Sequence, residues 1–325
     1  YPPGSTIKTL TALSALENDV VSSKLIVRCD GFTDLHGERF HCWKKEGHGV
    51  VGMRTAIKKS CDVYFYEVAR RLGIDRLAAT AEKFGLGNKV LQNYSEEKAG
   101  VVPNTKWKIR ELGKNWYLGE TLHSGIGQGY FLTTPLQLTL MTAQIANGGF
   151  QIKPRILVDK NEKISNLQKY LKHKKSTPGN VMSVDDQIFN FDLKPLFRNQ
   201  ENINLVKEAM FAATNEIGGT SYRSRHKSKK FMFAGKTGSS QIKRFTAEQR
   251  EAEVKQENIT YLERDHAWFV AFAPVNDPKY AISVLVEHGG SGSVAAAPIA
   301  KKIIKKVLER HERRSSFENR KRENI

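Results

Sequence analysis

The chain has 325 residues, 39% of them apolar and 26% charged, which excludes an intrinsically disordered protein and leaves ample length for a sizeable core. The formal net charge is +18, but Lys and Arg are spread through every segment with modest clusters only at 224–230 and 301–322. No zinc-finger or RNA-binding signature accompanies them, so no nucleic-acid partner is expected.

No run of 18 apolar residues occurs, so no membrane-spanning helix is read within these residues. The chain opens on Tyr1-Pro2-Pro3-Gly4 with no signal peptide, which reads as the interior of a longer protein. Residues 5–17 read as a helix: Ser5 and Thr6 open it, Ile7, Leu10, Leu13 and Leu16 recur along it, and Asn18-Asp19 ends it. Residues 28–52, rich in Gly, His and Asp, read as a loop. Residues 53–72 read as a second helix and 75–84 as a third, stopped by Gly85. The Gly- and Trp-rich stretch 95–130 reads mostly as loop, and 134–147 as a helix with Pro135 in its first turn. Residues 150–200 are Lys-rich and irregular; an amphipathic helix over 201–215 follows, with Ile203, Val206, Met210 and Ala213 on one face. Residues 229–241, 266–274 and 279–288 then read as strands, and 294–311 as a closing helix. The expectation is one domain over 1–312 and a charged tail over 313–325. Its class is mixed, α/β in the broad sense and α+β in detail: an antiparallel sheet flanked by an all-helical region.

Three short motifs carry chemistry. Ser5-Thr6-Ile7-Lys8 puts a hydroxyl and an amine one helical turn apart on one face. Ser is a weak nucleophile until a base takes its proton, and the helix N-terminus favours a developing oxyanion. Alone the spacing is common and equally describes a capping Ser before an exposed Lys. Ser60-Cys61-Asp62 offers a hydroxyl and a carboxylate two residues apart. Lys236-Thr237-Gly238-Ser239 lies on the first strand of the meander; a phosphate-loop reading of Gly235-Lys236-Thr237 fails because Lys230 stands where that loop needs Gly. On a strand edge, Lys236 and Thr237 suit a substrate carboxylate, and Gly238 leaves room for a substrate backbone.

In this order and spacing, the three motifs resemble those of the penicillin-recognising serine enzymes. The flanks Pro3-Gly4-Ser5-Thr6-Ile7-Lys8, Ser60-Cys61-Asp62-Val63-Tyr64-Phe65-Tyr66, Gly125-Ile126-Gly127-Gln128-Gly129, Thr134-Pro135-Leu136-Gln137 and Gly218-Gly219-Thr220 resemble the elongation-specific class B penicillin-binding proteins, the penicillin-binding protein 2 branch. The resemblance runs from Pro2 to about residue 310. It implies a β-lactamase/transpeptidase-like fold and D,D-transpeptidation of peptidoglycan stem peptides. Ser5 would be acylated, with Lys8 as base and Ser60 as proton relay. Lys236, Thr237 and Ser239 would hold the terminal carboxylate, and the Ser5 and Ser239 backbone N–H groups would form the oxyanion hole. Penicillin and other β-lactams would acylate the same Ser5. The resemblance also implies an inner-membrane anchor, a periplasmic catalytic domain, and elongasome partners that include a SEDS-family glycosyltransferase. The family's first strands are missing here, which predicts a three-stranded meander with an uncovered edge. A penicillin-binding sensor and a serine β-lactamase are the rival readings. Asp62 stands where many relatives carry Asn, a departure shared with the penicillin-binding protein 2 branch. A carboxylate only accepts hydrogen bonds, so Asp62 cannot play the amide's role, and pairing with Lys8 would oppose service of that amine as base.

No cofactor is expected for catalysis, but a metal is. Cys29, Asp30, Asp34, His36, His41, Cys42, His48 and Cys61 fall within 33 residues. Some branches of the family hold a structural zinc here; mapped by motif, the ligands would be Asp30, Cys42, His48 and Cys61. Two Cys, one His and one Asp suit tetrahedral zinc. Two other readings stay open: a Cys29–Cys42 disulfide, or no special role. Trp43, Trp107, Trp116 and Tyr117 read as packing residues ahead of a peptide groove.

Overall fold

The computed structural model describes residues 1–91, 94–156, 195–242 and 258–323, with side chains as far as Arg314. A tight 3₁₀ turn, Gly4–Ile7, runs directly into α1 (Lys8–Glu17). Every residue of α1 from Lys8 to Leu16 is buried. A helix enclosed on all sides must satisfy its polar side chains within the protein. Thr9 Oγ1 donates to Thr6 O, Thr11 Oγ1 donates to Gly125 O at 2.8 Å, and Ser14 Oγ lies 2.7 Å from Thr80 Oγ1.

The segment expected as a loop over 28–52 instead forms, from Ile26 onward, two short antiparallel ladders. β1 (Ile26–Cys29) pairs with β4 (Gly49–Gly52), and β2 (Phe32–Leu35) pairs with β3 (Glu38–His41). Four-residue strands that are mostly exposed leave too short an alternation to read in the sequence. The single helix expected over 53–72 is two, α2 (Met53–Lys59) and α3 (Asp62–Leu72), separated by Ser60 in the left-handed region at φ +56°. α4 (Ile74–Lys83) ends before Gly85 as expected.

The Trp-rich stretch holds two helices rather than loop, α5 (Thr105–Leu112) and α6 (Leu118–Gly125). Each is two turns long and held at its start by a side chain: Asn104 accepts from Trp107 N, and Glu120 accepts from Tyr117 N. α7 (Pro135–Ala146) begins with a reciprocal Thr134–Gln137 capping box, and α8 (Gln200–Asn215) follows. Most of the irregular 150–200 segment lies outside the described residues.

β5 (Ala234–Ser240), β6 (His266–Ala273) and β7 (Tyr280–Val286) form an antiparallel sheet in that order. A three-strand meander was expected, and among the described residues the outer edges of β5 and β7 carry no further strand. β6 is buried on both faces, and its alternation sorts two cores. Trp268, Val270 and Phe272 join the helical core, whereas Ala267, Phe269, Ala271 and Ala273 meet Ala297, Ala300, Ile304 and Leu308. The latter four belong to α9 (Ala297–Glu323), which continues through the segment expected to be a charged tail.

In the helical half, α1 packs against α3, α4 and α8, and α3 packs against α6. At Gly125 the last two approach so closely that an added Cβ would stand 2.3 Å from the Cβ of Ala69. Gly125→Ala is expected to lose on the order of 1–3 kcal/mol by overpacking. Denaturant unfolding checks this, with partial recovery expected in the Gly125→Ala/Ala69→Gly pair.

Candidate active site

Ser5 sits in the first turn of the opening helix, and glycines on both sides set its position. Gly4 adopts φ +54°, and a Cβ there would lie 2.6 Å from Ser239 O. Gly127, at φ +78°, lies against Gly4 so tightly that a Cβ would stand 2.1 Å from Gly4 O, and Gly4 N donates to Gly127 O at 2.9 Å. The Gly125–Gly129 segment and β5 thus hold the Ser5 turn between them. Gln128 Nε2 ties the same parts together by donating to Ser239 O at 3.1 Å.

The motifs that are far apart in sequence converge here. Lys8 Nζ donates to Ser60 O at 2.9 Å, to Ser60 Oγ at 3.2 Å and to Asp62 Oδ1 at 2.7 Å. Those three acceptors match the three protons of an ammonium. Lys236 Nζ reaches the same hydroxyl from β5, 2.8 Å from Ser60 Oγ, and also bonds Thr237 O at 2.9 Å. Ser60 Oγ is therefore the bridge between two buried amines. The break at Ser60 is what turns it inward, at a cost of roughly 1–2 kcal/mol for a left-handed non-glycine residue.

Burial governs the electrostatics. Lys8 and Lys236 are fully enclosed and Asp62 nearly so. Desolvation first, and then the charge of Lys8, push the Lys236 amine well below the ordinary lysine range; Asp62 works weakly against both. Desolvation raises the Asp62 carboxyl, against the opposing pull of Lys8. The expected Lys8–Asp62 pairing is present, and Asp62 acts as an acceptor throughout, its Oδ2 taking the backbone N–H of Trp43 at 2.8 Å.

β5 carries Thr237 and Ser239 alongside. Thr237 Oγ1 donates to Thr220 Oγ1 at 2.9 Å, which brings Gly218-Gly219-Thr220 to the site and makes Thr220 a site residue that sequence reading held only as a flank. Gly238 has a second explanation beside the one its sequence suggested. A Cβ there would meet Pro3 O and Thr6 Cγ2 at 3.0 Å and Trp268 Cβ at 3.1 Å. Close approach of the Ser5 turn therefore also favours this glycine, because an added Cβ would force those neighbours to shift.

Behind the site, Cys29, Cys42, His48 and Cys61 gather with their donor atoms all within 4.8 Å of one another. His48 Nδ1 lies 3.5 Å from Cys42 Sγ and 3.7 Å from Cys29 Sγ. Those separations suit tetrahedral zinc, whose bonds to sulfur and nitrogen are about 2.0–2.3 Å. Of the expected ligands, Cys42, His48 and Cys61 lie in the cluster, whereas Asp30 lies outside it and Cys29 takes the fourth place. Alternation along β1 explains the exchange, because Cys29 points inward while Arg28 and Asp30 point out and pair with each other at 3.0 Å. All three thiols are free, so the Cys29–Cys42 disulfide is absent. The hydrogen bond from the Cys61 thiol, and after it the one to His48, lower the Cys42 thiol against the opposing effect of burial. Cys61 is pushed up by that same bond to Cys42 and by burial.

Removing one partner of the buried ion pair leaves the other uncompensated. Lys8→Met is expected to lose on the order of 3–5 kcal/mol in denaturant unfolding, and Lys8→Met/Asp62→Leu to recover most of it.

Comparison with known proteins agrees with this geometry. The penicillin-binding protein transpeptidase domain profile matches residues 1–305. The chain is 33% identical to the peptidoglycan D,D-transpeptidase MrdA of Salmonella typhimurium over 95% of its length and 46% of the relative's. It is 34% identical to MrdA of Acinetobacter baumannii over 92% of its length and 42% of the relative's. It therefore spans less than half the length of these curated relatives. Among solved structures, PBP2 of Helicobacter pylori in complex with MreC superposes with a TM-score of 0.76 at 31% identity, covering 95% of this chain and 50% of that one. PBP2 of Pseudomonas aeruginosa in complex with WCK 5153 gives 0.73 at 34% identity, covering 94% and 60%. With the profile matched almost end to end and the three motifs meeting around one hydroxyl, the chain belongs to the penicillin-binding protein transpeptidase domain family.

Proposed function

We propose that this chain is the catalytic part of a peptidoglycan D,D-transpeptidase that works through an acyl-Ser5 intermediate. The observation that carries this is the Lys8–Ser60–Lys236 hydrogen-bonded chain beside the Ser5 turn and the edge of β5, which carries no further strand among the described residues. An extended stem peptide lies along that edge as an added strand. Its terminal carboxylate meets Lys236, Thr237 and Ser239.

Lys8 must lose a proton before it can take one from Ser5. Ser60 Oγ contacts both amines, so a proton leaves Lys8 for Ser60 while the Ser60 proton passes to Lys236, whose burial favours the neutral form. An arriving carboxylate stabilises the Lys236 cation and draws the proton that way. Ser5 Oγ then attacks the penultimate D-Ala carbonyl and gives its proton to Lys8. The new oxyanion faces the backbone N–H groups of Ser5 and Ser239. Breakdown expels D-Ala, which takes a proton from Lys8; an acceptor amine of a neighbouring stem then attacks the ester and gives a proton to Lys8, and Ser5 Oγ leaves and takes that proton back as the amide cross-link forms. β-Lactams, which present an amide beside a carboxylate, acylate Ser5 by the same route. The resemblance to MrdA proteins supports a role in cell elongation, a membrane-anchored parent protein with this domain in the periplasm, and partners drawn from a glycosyltransferase and other elongasome proteins.

Labelled penicillin tests the reading in the full-length protein. A long-lived adduct is expected, reduced to background by Ser5→Ala. Persistent label in that variant removes Ser5 from its role, and release of the adduct within seconds, on the order of a β-lactamase turnover, rejects transpeptidation.

We also propose a structural zinc held by Cys29, Cys42, His48 and Cys61. Bound there, it would tie the β1–β4 ladder to the Ser60–Asp62 turn. The donor set and its compactness support the assignment. Purified protein is expected to carry about one equivalent of zinc and to lose thermal stability on chelation. Less than about a tenth of an equivalent, without chelator, ends the assignment.

A further inference from the structure

Trp43 is an exposed residue with an uncommon number of directed bonds. It leaves 61% of its surface to solvent, so burial does not fix it. Its indole Nε1 donates to Ser60 O at 3.0 Å and to Lys59 O at 3.1 Å. Its backbone N–H donates to Asp62 Oδ2 at 2.8 Å. One residue earlier, Cys42 Sγ accepts the Asp62 backbone N–H at 3.4 Å. The Cys42–Trp43 dipeptide therefore grips the Ser60–Asp62 turn at the Ser60 carbonyl, the Asp62 amide and the Asp62 carboxylate.

The end of α2 closes the turn from the helix side, Ser60 N–H donating to Ile57 O at 3.2 Å and Cys61 N–H to Ala56 O at 2.9 Å; the indole bond restrains it from the side facing the loop. Its carbonyl is shared between the indole and Lys8 Nζ, which arrives at 2.9 Å from the opposite element. A left-handed serine persists only where its surroundings over-determine it. Its Oγ must also stay within reach of two amines at once, 3.2 Å from Lys8 and 2.8 Å from Lys236.

We infer that Trp43 is a positioning residue: its indole N–H adds a loop-side hold on the Ser60 carbonyl to the backbone bonds that close α2, and so sets the Ser60 hydroxyl between Lys8 and Lys236. The inference rests on the proposed role of Ser60 as proton relay. It adds that alignment of the relay is supplied from outside the three motifs, by the loop that also carries Cys42 and His48. A plain helix cap makes a different demand. The indole N–H also serves the last carbonyls of α2, and if capping were its whole role, its loss would cost stability and leave acylation alone.

The test replaces the N–H while keeping the ring. In the full-length protein, Trp43 is exchanged for benzothienylalanine, which has sulfur in place of the indole N–H, and in parallel for phenylalanine. Acylation is followed over a series of labelled-penicillin concentrations that separates binding before acylation from the acylation step. The acylation rate constant is expected to fall roughly 10–100-fold, the scale of a misplaced reacting group, with prior binding within about twofold of the parent. Metal content and unfolding midpoint are expected to stay at the parent's values in the isosteric variant.

Acylation by the isostere within about twofold of the parent overturns the inference, as does a loss confined to the binding step. Loss of fold in the isostere assigns the N–H to stability and overturns it too. A misfolded Trp43→Phe leaves the decision with the isostere. A parent protein that takes no label fails the transpeptidase reading and this inference together, whereas a labelled parent with an equally fast isostere rejects the inference alone.

Discussion

Two lysines and an aspartate share a space from which water is almost wholly excluded, and the organisation of the site follows from that constraint. Isolated buried charges are costly, so each must be paired or neutral. Lys8 is paired, with Asp62 at 2.7 Å. Lys236 has no carboxylate of its own within hydrogen-bond reach among the described residues, and burial together with the Lys8 charge drives it toward the neutral amine. The result is one charged and one depressed amine on either side of a single hydroxyl. That asymmetry gives a proton somewhere to go when a carboxylate arrives. It arises because one lysine belongs to a buried helix and the other to an edge strand, and the two elements meet at Ser60.

The same constraint explains the crowding around Ser5. The Ser5 turn is pressed between the Gly125–Gly129 segment and β5, at distances that leave no room for a Cβ at Gly4 or Gly127. Gly4, Gly127 and Gly238 each stand where a Cβ would meet main-chain atoms at 3.0 Å or less. These contacts leave the Ser5 turn little freedom relative to the strand that presents Lys236, Thr237 and Ser239. Rigidity of that kind is what the proposed acylation of Ser5 requires of a preorganised site.

The 26–52 region is more than a connection. It folds into two small ladders, gathers three thiols and an imidazole, and reaches the active-site turn through Cys42 and Trp43. The Cys61 side chain belongs to the cluster, while its neighbours Ser60 and Asp62 belong to the site. Adjacent residues on a turn point in different directions, so one tripeptide serves both.

The sequence by itself determined the candidate site: Ser5, Lys8, Ser60, Asp62 and Lys236 were legible as motifs because each places a particular functional group at a fixed local spacing. It also determined the order of elements wherever an apolar period ran for two turns or more, as in α1, α7 and α8, or filled a buried strand, as in β6. Only the tertiary structure decided the rest. The break at Ser60 is invisible in a helical pattern that resumes after it. Cys29 displaces Asp30 because strand parity, read from pairing with β4, turns one inward and its neighbour outward. Thr220 and Trp43 join the site through contacts across 17 residues in each case, to Thr237 and to Ser60. Gly238 also serves a protein contact that no local pattern records. In each instance the deciding quantity is a distance between segments, and local spacing holds no information about it.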